Sequence, residues 1–331
     1  MGIKVFFSVD LHGSTACFRK FINALSVYKA DIGILGGDLS GKMIIPIVVR
    51  NDGTYVYDYL GERIETRNKD DLRGVEKKIT DAGNYYYYMS ESEYEKLKAE
   101  GKTIRGRIDE KARKIRLSAG KLEDIFVKVV TDRLREWMEY AEEKLRGMNK
   151  RIYVIPGNDD IPEVDDILIR HESRHIIFAD RKLVEINGHE MVGLSWSNPT
   201  PWDTPRETDE ETLEKMIEEL TSRIKRYENA IFQFHVPPYG TLLDQAPALS
   251  EDLTPSVSEV KNVGSTSVLK AIEKYQPLLG LHGHIHESRG IQKIGRTTVV
   301  NPGSEYTEGI LRGVLLFIDD KKLKNFIFTS G

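Results

Sequence analysis

The sequence predicts an α/β fold built on a parallel sheet and interrupted by a long insertion. Three observations carry this reading. Short apolar runs alternate with segments of helical spacing near both ends of the chain. The alternation stops near residue 41 and resumes near residue 150. Several of the apolar runs end in Asp, Asn or His.

At the amino end, residues 3–9 read as a buried strand. Residues 14–28 read as a helix, with Phe18, Phe21, Ile22 and Leu25 on one face, and 32–35 as a second strand closed by Gly36-Gly37-Asp38. This β-α-β order favours parallel pairing. Beyond Gly41 the rhythm changes. Residues 43–50 and 54–59 suit a hairpin around Asn51-Asp52-Gly53. Residues 71–80 and 91–98 suit short helices on either side of Tyr85-Tyr86-Tyr87-Tyr88. Residues 122–145 suit a long amphipathic helix. The β/α rhythm then returns with strands at 152–155, 183–186, 191–194, 230–234 and 278–281, and a long charged helix over about 208–228. The tail, 290–328, alternates as antiparallel strands.

Composition sets limits. The chain has 331 residues, 40% of them apolar and 30% charged, with a mean hydropathy of -0.41, as expected of a soluble globular protein. Its net charge of -4 offers no overall basic excess for nucleic acid. The single cysteine, Cys17, excludes an internal disulfide and a thiolate zinc site, and is expected in the core. The amino-terminal apolar run stops at Asp10, too short for a signal-peptide core or a membrane span, so a cytoplasmic location is expected.

Five motifs stand at strand ends: Asp10-x-His12, Gly37-Asp38, Gly157-Asn158-Asp159, His235 and Gly283-His284-x-His286. In open α/β folds, sites form beyond the carboxyl ends of the strands, so these groups should converge. Most of these motifs alone are weak, since a turn, a cap or a core histidine explains them more often, while Gly283-His284-x-His286 is stronger because i and i+2 in an extended segment point the same way. Five together, each at a strand end, are hard to assign to packing.

The set resembles the calcineurin-like metallophosphoesterase superfamily, over residues 3–41 and 150–318. The segments His235-Val-Pro-Pro238 and Val300-Asn-Pro-Gly-Ser304 are similar to its small prokaryotic, cyclic-nucleotide-phosphodiesterase-like branch. The resemblance implies a four-layer α/β/β/α sandwich with two divalent ions (Mn, Fe, Zn or Ni, with Mn favoured). It implies one ion on Asp10, His12 and His286, a second on Asn158, His235 and His284, and Asp38 between them. It implies hydrolysis of phosphodiesters or phosphomonoesters by a metal-bridging hydroxide. Many relatives have His where this chain has Asp159. Asp159 is therefore a weak acid candidate, and the enzyme is expected either to prefer good leaving groups or to use another acid. His282 is one such acid, against a structural reading as support for the Gly283 turn. His235 is taken as both ligand and catalytic residue.

Substrate-binding candidates are Asn158, Ser265 and Tyr239. The segment Gly264-Ser265-Thr266-Ser267 precedes a helix and suits either a phosphate site or an ordinary cap. Asn301 and Ser304 are expected to shape the loop under the metals, and His171, His175 and His189 to lie at the surface.

The expected division is a catalytic domain of 1–41 and 150–331 with an inserted subdomain, 42–149. Residues 42–150 hold 24 basic and 21 acidic residues, +3, which leaves the remainder at -7. Basic residues gather at Lys102, Arg105, Arg107, Lys111, Arg113, Lys114, Arg116 and Lys121, against Asp109 and Glu110. The insertion reads as a cap supplying cations and tyrosines to a phosphorylated small molecule. It reads alternatively as a solvated face with a tyrosine-rich core or homodimer surface. Rival functions are a nuclease, since basic and aromatic residues suit single-stranded nucleic acid, and a non-catalytic metal-binding scaffold. No membrane partner is expected.

Overall fold

A computed structural model describes residues 2–99, 121–250 and 255–331. The basic run from Lys102 to Arg116 lies outside these.

The chain opens with β1 (Ile3–Ser8), α1 (Thr15–Val27) and β2 (Ile32–Gly36). The insertion follows with β3 (Ile44–Val49), β4 (Tyr55–Tyr59), β5 (Glu62–Thr66), α2 (Lys69–Asp81), β6 (Tyr85–Ser90), α3 (Glu91–Ala99) and α4 (Lys121–Met148). Next come β7 (Arg151–Ile155), α5 (Glu163–Arg170), β8 (Ile176–Phe178), β9 (Leu183–Ile186), β10 (His189–Leu194), α6 (Glu210–Thr221) and β11 (Ile231–Phe234). The chain continues through β12 (Gln245–Leu249), β13 (Pro255–Asn262), α7 (Thr266–Tyr275), β14 (Leu279–Leu281), β15 (Gly290–Ile294), β16 (Thr297–Asn301), β17 (Arg312–Ile318) and β18 (Leu323–Ser330).

Two six-stranded sheets result, in the orders β18-β17-β1-β2-β7-β8 and β15-β16-β14-β11-β10-β9. The strands at their centres pair in parallel: β1 with β2, β2 with β7, β10 with β11 and β11 with β14. These strands are apolar on both faces, because each face of each sheet is covered. Along β1, Val5 and Phe7 point between the sheets, where they meet residues such as Ile34, Met191 and Leu281, while Phe6 points outward to Phe18 and Phe21 of α1. On β10 and β11, Val192, Phe232 and Phe234 point outward to Leu213 and Ile217 of α6 and Val268 of α7. The layers are therefore helix, sheet, sheet, helix, the α/β/β/α sandwich expected.

The last helix of the insertion packs into the outer core. Helix α4 buries Val130, Leu134, Trp137, Met138, Ala141 and Leu145 in the same core as Phe18, Ile152 and Leu168, and Trp137 stacks on Phe18 at 4.4 Å. It is thus part of the outer helical layer, linking parallel strands β2 and β7. The insertion sheet, β5-β4-β3-β6, uses its alternation in two ways. Ile45 and Ile47 face Leu72 and Ile79 of α2, whereas Ile44, Val48 and Tyr85 join the α1–α4 core. The tyrosine run is therefore a strand whose members alternate faces, with Tyr85 buried and Tyr88 exposed and bonded to Glu76.

Two local expectations fail. The long charged helix stops at Thr221, because the Glu190 carboxylate accepts the backbone N–H groups of Lys225 and Arg226 and draws the chain off the helical path. His175 and His189 are buried, with Nδ1 atoms bonded to the carbonyls of Lys150 and Asn229. No described helix is long and apolar enough to cross a membrane.

Candidate metal centre

The loops following β1, β2, β7, β11 and β14 meet at one edge of the sandwich. Backbone bonds lock the first two together: Asp10 N–H donates to Gly37 O (3.0 Å) and His12 N–H to Asp38 O (2.8 Å). Asp10, His12, Asp38 and His284 all have positive φ, at 53°, 41°, 50° and 68°. Such backbone is uncommon for residues with side chains and costs on the order of 1–3 kcal/mol each. Four of them among seven converging residues is an arrangement that packing alone does not call for. Gly157 is required for close approach, since a Cβ there would lie 2.1 Å from Asp38 Oδ1.

Two groups of donor atoms result, each with its atoms within 4.8 Å of one another: Asp10, His12, Asp38 and His286, and Asp38, His235 and His284. Asp38 belongs to both. Asn158 completes the second group, its Oδ1 lying 3.0 Å from His235 Nε2 and 2.7 Å from His284 Nδ1. Thr204 orients this amide by accepting from Nδ2 at 2.8 Å. His235 Nδ1 lies 2.8 Å from Gly36 O, which turns Nε2 inward. Asp10 accepts from the His284 N–H at 3.0 Å. Ser304 Oγ donates to Asp10 O, and Asn301 Nδ2 donates to the carbonyls of Gly283 and Ile285, so these residues do shape the loop beneath.

The donor set fits two cations. Burial holds the imidazoles of His12, His284 and His286 below their ordinary pKa, to about 3 for His284 and about 4 for His286. They are therefore neutral, as ligands must be. Burial also disfavours an imidazolium at His235, but Asp38 and Asp10 outweigh it and raise its pKa to about 10. Burial likewise lifts Asp10 to about 7, against the pull of His235. The cluster thus favours positive charge beside its two buried carboxylates, a role a divalent ion can take over.

The signs give a prediction. His235 and Asp10 both bind protons more tightly when folded than when unfolded. In metal-free protein their stabilisation is therefore lost as pH rises through about 7 for Asp10 and towards about 10 for His235. Cation binding displaces the proton and removes that loss. The rise in Tm on adding Mn should grow between about pH 6 and pH 9, which differential scanning fluorimetry measures. An increment that shrinks over this range contradicts the assignment.

Other expected site residues fall elsewhere. His282 is fully buried, its Nδ1 2.8 Å from Phe234 O, and burial lowers it to about 4. Its ring lies against Gly280, within 2.6 Å of where a Cβ would sit. It supports the loop and does not present a proton to the site. Ser265 caps α7, accepting from Val268 N–H, and the helix N-terminus is already filled by Glu210, whose carboxylate accepts from Thr266 N–H, Ser267 N–H and Ser265 Oγ. The expected phosphate position is therefore occupied. Tyr239 stands exposed, and among the described residues no hydrogen bond or ring contact links it to the cluster. Asp159 lies at the rim, its Oδ2 3.9 Å from His12 Nδ1 and its N–H donating to Asp38 Oδ1.

Three residues at the centre escape sequence reasoning. Lys42 Nζ lies 2.5 Å from Asp159 Oδ2. Tyr306 packs its ring 4.6 Å from that of His12 and 5.8 Å from that of His286. Asp160, fully buried, accepts from Leu39 N–H, Ser40 N–H, Ser40 Oγ and Gly157 N–H, so one carboxylate ties the Asp38 loop to the Asn158 loop.

No family model matches the chain. The uncharacterized protein MJ1162 of Methanocaldococcus jannaschii is 36% identical over 175 residues, 52% of this chain and 69% of that protein. One crystal structure superposes with a TM-score of 0.57 at 15% identity, covering 100% of this chain and 99% of its own. TT1561 of Thermus thermophilus gives 0.49 at 14% identity, covering 100% and 99%. YfcE, a phosphoesterase from E. coli, gives 0.32 at 12% identity, covering 98% of each.

Proposed function

We propose that this chain, which belongs to the same family as MJ1162, is a calcineurin-like metallophosphoesterase that hydrolyses phosphoric esters of small molecules at the seven-residue Asp/His/Asn cluster. The observation that carries the reading is Asp38, whose carboxylate is shared by two groups of buried and half-buried donors. Two divalent ions held there would supply Lewis acidity and lower the pKa of bound water towards neutrality.

The protein's own contribution is preorganisation. Asp10, His12 and His286 would hold one ion, Asn158, His235 and His284 the other, and Asp38 both. Gly36 O fixes the tautomer of His235, Thr204 fixes the rotamer of Asn158, and the His284 N–H satisfies Asp10, so each donor is aimed before any ligand arrives. Asp159 is engaged by Lys42 and His282 faces away, so neither of the two expected acids is aligned to protonate a poor leaving group. Esters with acidic leaving groups should therefore react best.

The test is hydrolysis of bis-p-nitrophenyl phosphate and p-nitrophenyl phosphate by Mn-loaded protein. A rate at least about a hundredfold over that of protein stripped by chelator is expected. Absence of hydrolysis with Mn, Fe, Zn and Ni alike would refute the reading.

A further inference from the structure

The insertion begins at Lys42, and its first residue reaches the metal centre. The backbone that delivers it is held on both sides. Leu39 and Ser40 are pinned by Asp160, and Gly41 N–H donates to the buried Tyr85 hydroxyl at 2.9 Å. Gly41 also passes so close to Gly83 that a Cβ would lie 1.9 Å from its carbonyl oxygen, so only glycine fits this crossing. The Lys42 side chain leaves this fixed point and runs to the rim. It is 30% exposed there, whereas Asp10 and Asp38 are buried beneath it. Its charge acts on Asp10, Asp38, His12, His284 and His286. Burial opposes the ammonium, but Asp159 and Asp38 outweigh it and hold its pKa above the ordinary lysine value, so it is a permanent cation. Tyr306, packed on His12 and His286, forms an adjoining wall.

We propose that Lys42 binds a non-bridging phosphoryl oxygen of the substrate, with Asp159 holding its ammonium over the metal centre. The proposal rests on the phosphoesterase reading and gives the insertion a direct part in recognition. An ammonium at the rim of a centre whose carboxylates are buried meets an anion arriving from solvent before the metal ligands do. Among the described residues its ion-pair partner is Asp159, and an ammonium carries three N–H donors, so it can keep that bond and donate another to an incoming phosphoryl oxygen. The insertion core seats this residue through Tyr85 and Gly83.

The experiment compares Mn-loaded wild type, Lys42→Met and Lys42→Arg. It measures metal content, binding of inorganic phosphate by calorimetry, and KM and kcat on bis-p-nitrophenyl phosphate. In Lys42→Met the metal content should stay at the wild-type value, while the Kd for phosphate and the KM rise roughly ten- to a hundredfold. Lys42→Arg keeps the charge and should recover to within a few-fold. Unchanged phosphate binding in Lys42→Met, or a wild type that binds no phosphate, overturns the proposal. Wild type that binds phosphate through Lys42 yet hydrolyses nothing leaves the proposal standing and refutes the phosphoesterase reading instead.

Discussion

Replacing Asp38 with asparagine is expected to abolish hydrolysis, by at least about a thousandfold, and to leave the fold intact. Asparagine has the shape of aspartate and tolerates the left-handed backbone at φ 50°. Its amide oxygen can still accept the Asp159 N–H. What it lacks is the anionic oxygen pair that serves both donor groups at once. Two cations close together repel, and a shared carboxylate is the group that offsets this best. Metal content should therefore fall from two ions per chain to one or fewer. In metal-free protein the melting temperature should fall by several degrees, because the variant removes the carboxylate that pairs with His235 and His12 and is held ionised by them. A variant that keeps two ions and full activity would show that Asp38 does not join them.

Replacing Asp160 with alanine should have the opposite signature. Its carboxylate satisfies three backbone N–H groups and the Ser40 hydroxyl in the interior. Removing it strands all four, at about 1–3 kcal/mol for each unsatisfied group before relaxation. Water entry and loop shifts will recover part of this, which leaves an expected loss of about 3–5 kcal/mol. The loss should appear in metal-free protein as well, as a fall in Tm on the order of 10 °C. Metal affinity should drop too, since the Asp38 and Asn158 loops lose their common tie. Asp160→Asn retains one acceptor and should fall between. Chelator-treated Asp160→Ala that melts with wild type would mean the tie carries no stability.

The contrast between these two aspartates reflects what the sequence could show. Asp38 stands at a strand end in a short recurrent pattern, as do Asp10, His12, Asn158, His235, His284 and His286. Strand ends are legible from periodicity, and strand ends are where α/β sheets gather their chemistry. Asp160 and Lys42 act through partners about 120 residues away, namely Ser40 and Asp159, and no local pattern marks such a pair. His282 illustrates the opposite failure. It directly precedes Gly283-His284-x-His286, and that proximity in sequence is what offered it as an acid. The backbone has positive φ at His284, His284 and His286 fall in different donor groups, and His282 turns to Phe234 O behind the loop.

The insertion was legible in its parts and not in its placement. The turn at Asn51-Asp52-Gly53 and the helical stretches are local, and they form where the pattern puts them. That α4 completes the outer layer depends on Trp137 and Leu134 meeting Phe18 and its neighbours across the fold. Amphipathic spacing alone cannot say which core a helix covers.

The central claim is that this cluster holds two divalent ions and uses them on phosphoric esters. The most direct test is elemental analysis and bis-p-nitrophenyl phosphate hydrolysis on the same Mn-reconstituted preparation, titrated against added metal. The account predicts about two ions per chain, with hydrolysis rising as the second ion binds. Two bound ions with no hydrolysis, or hydrolysis that persists without bound metal, would contradict it.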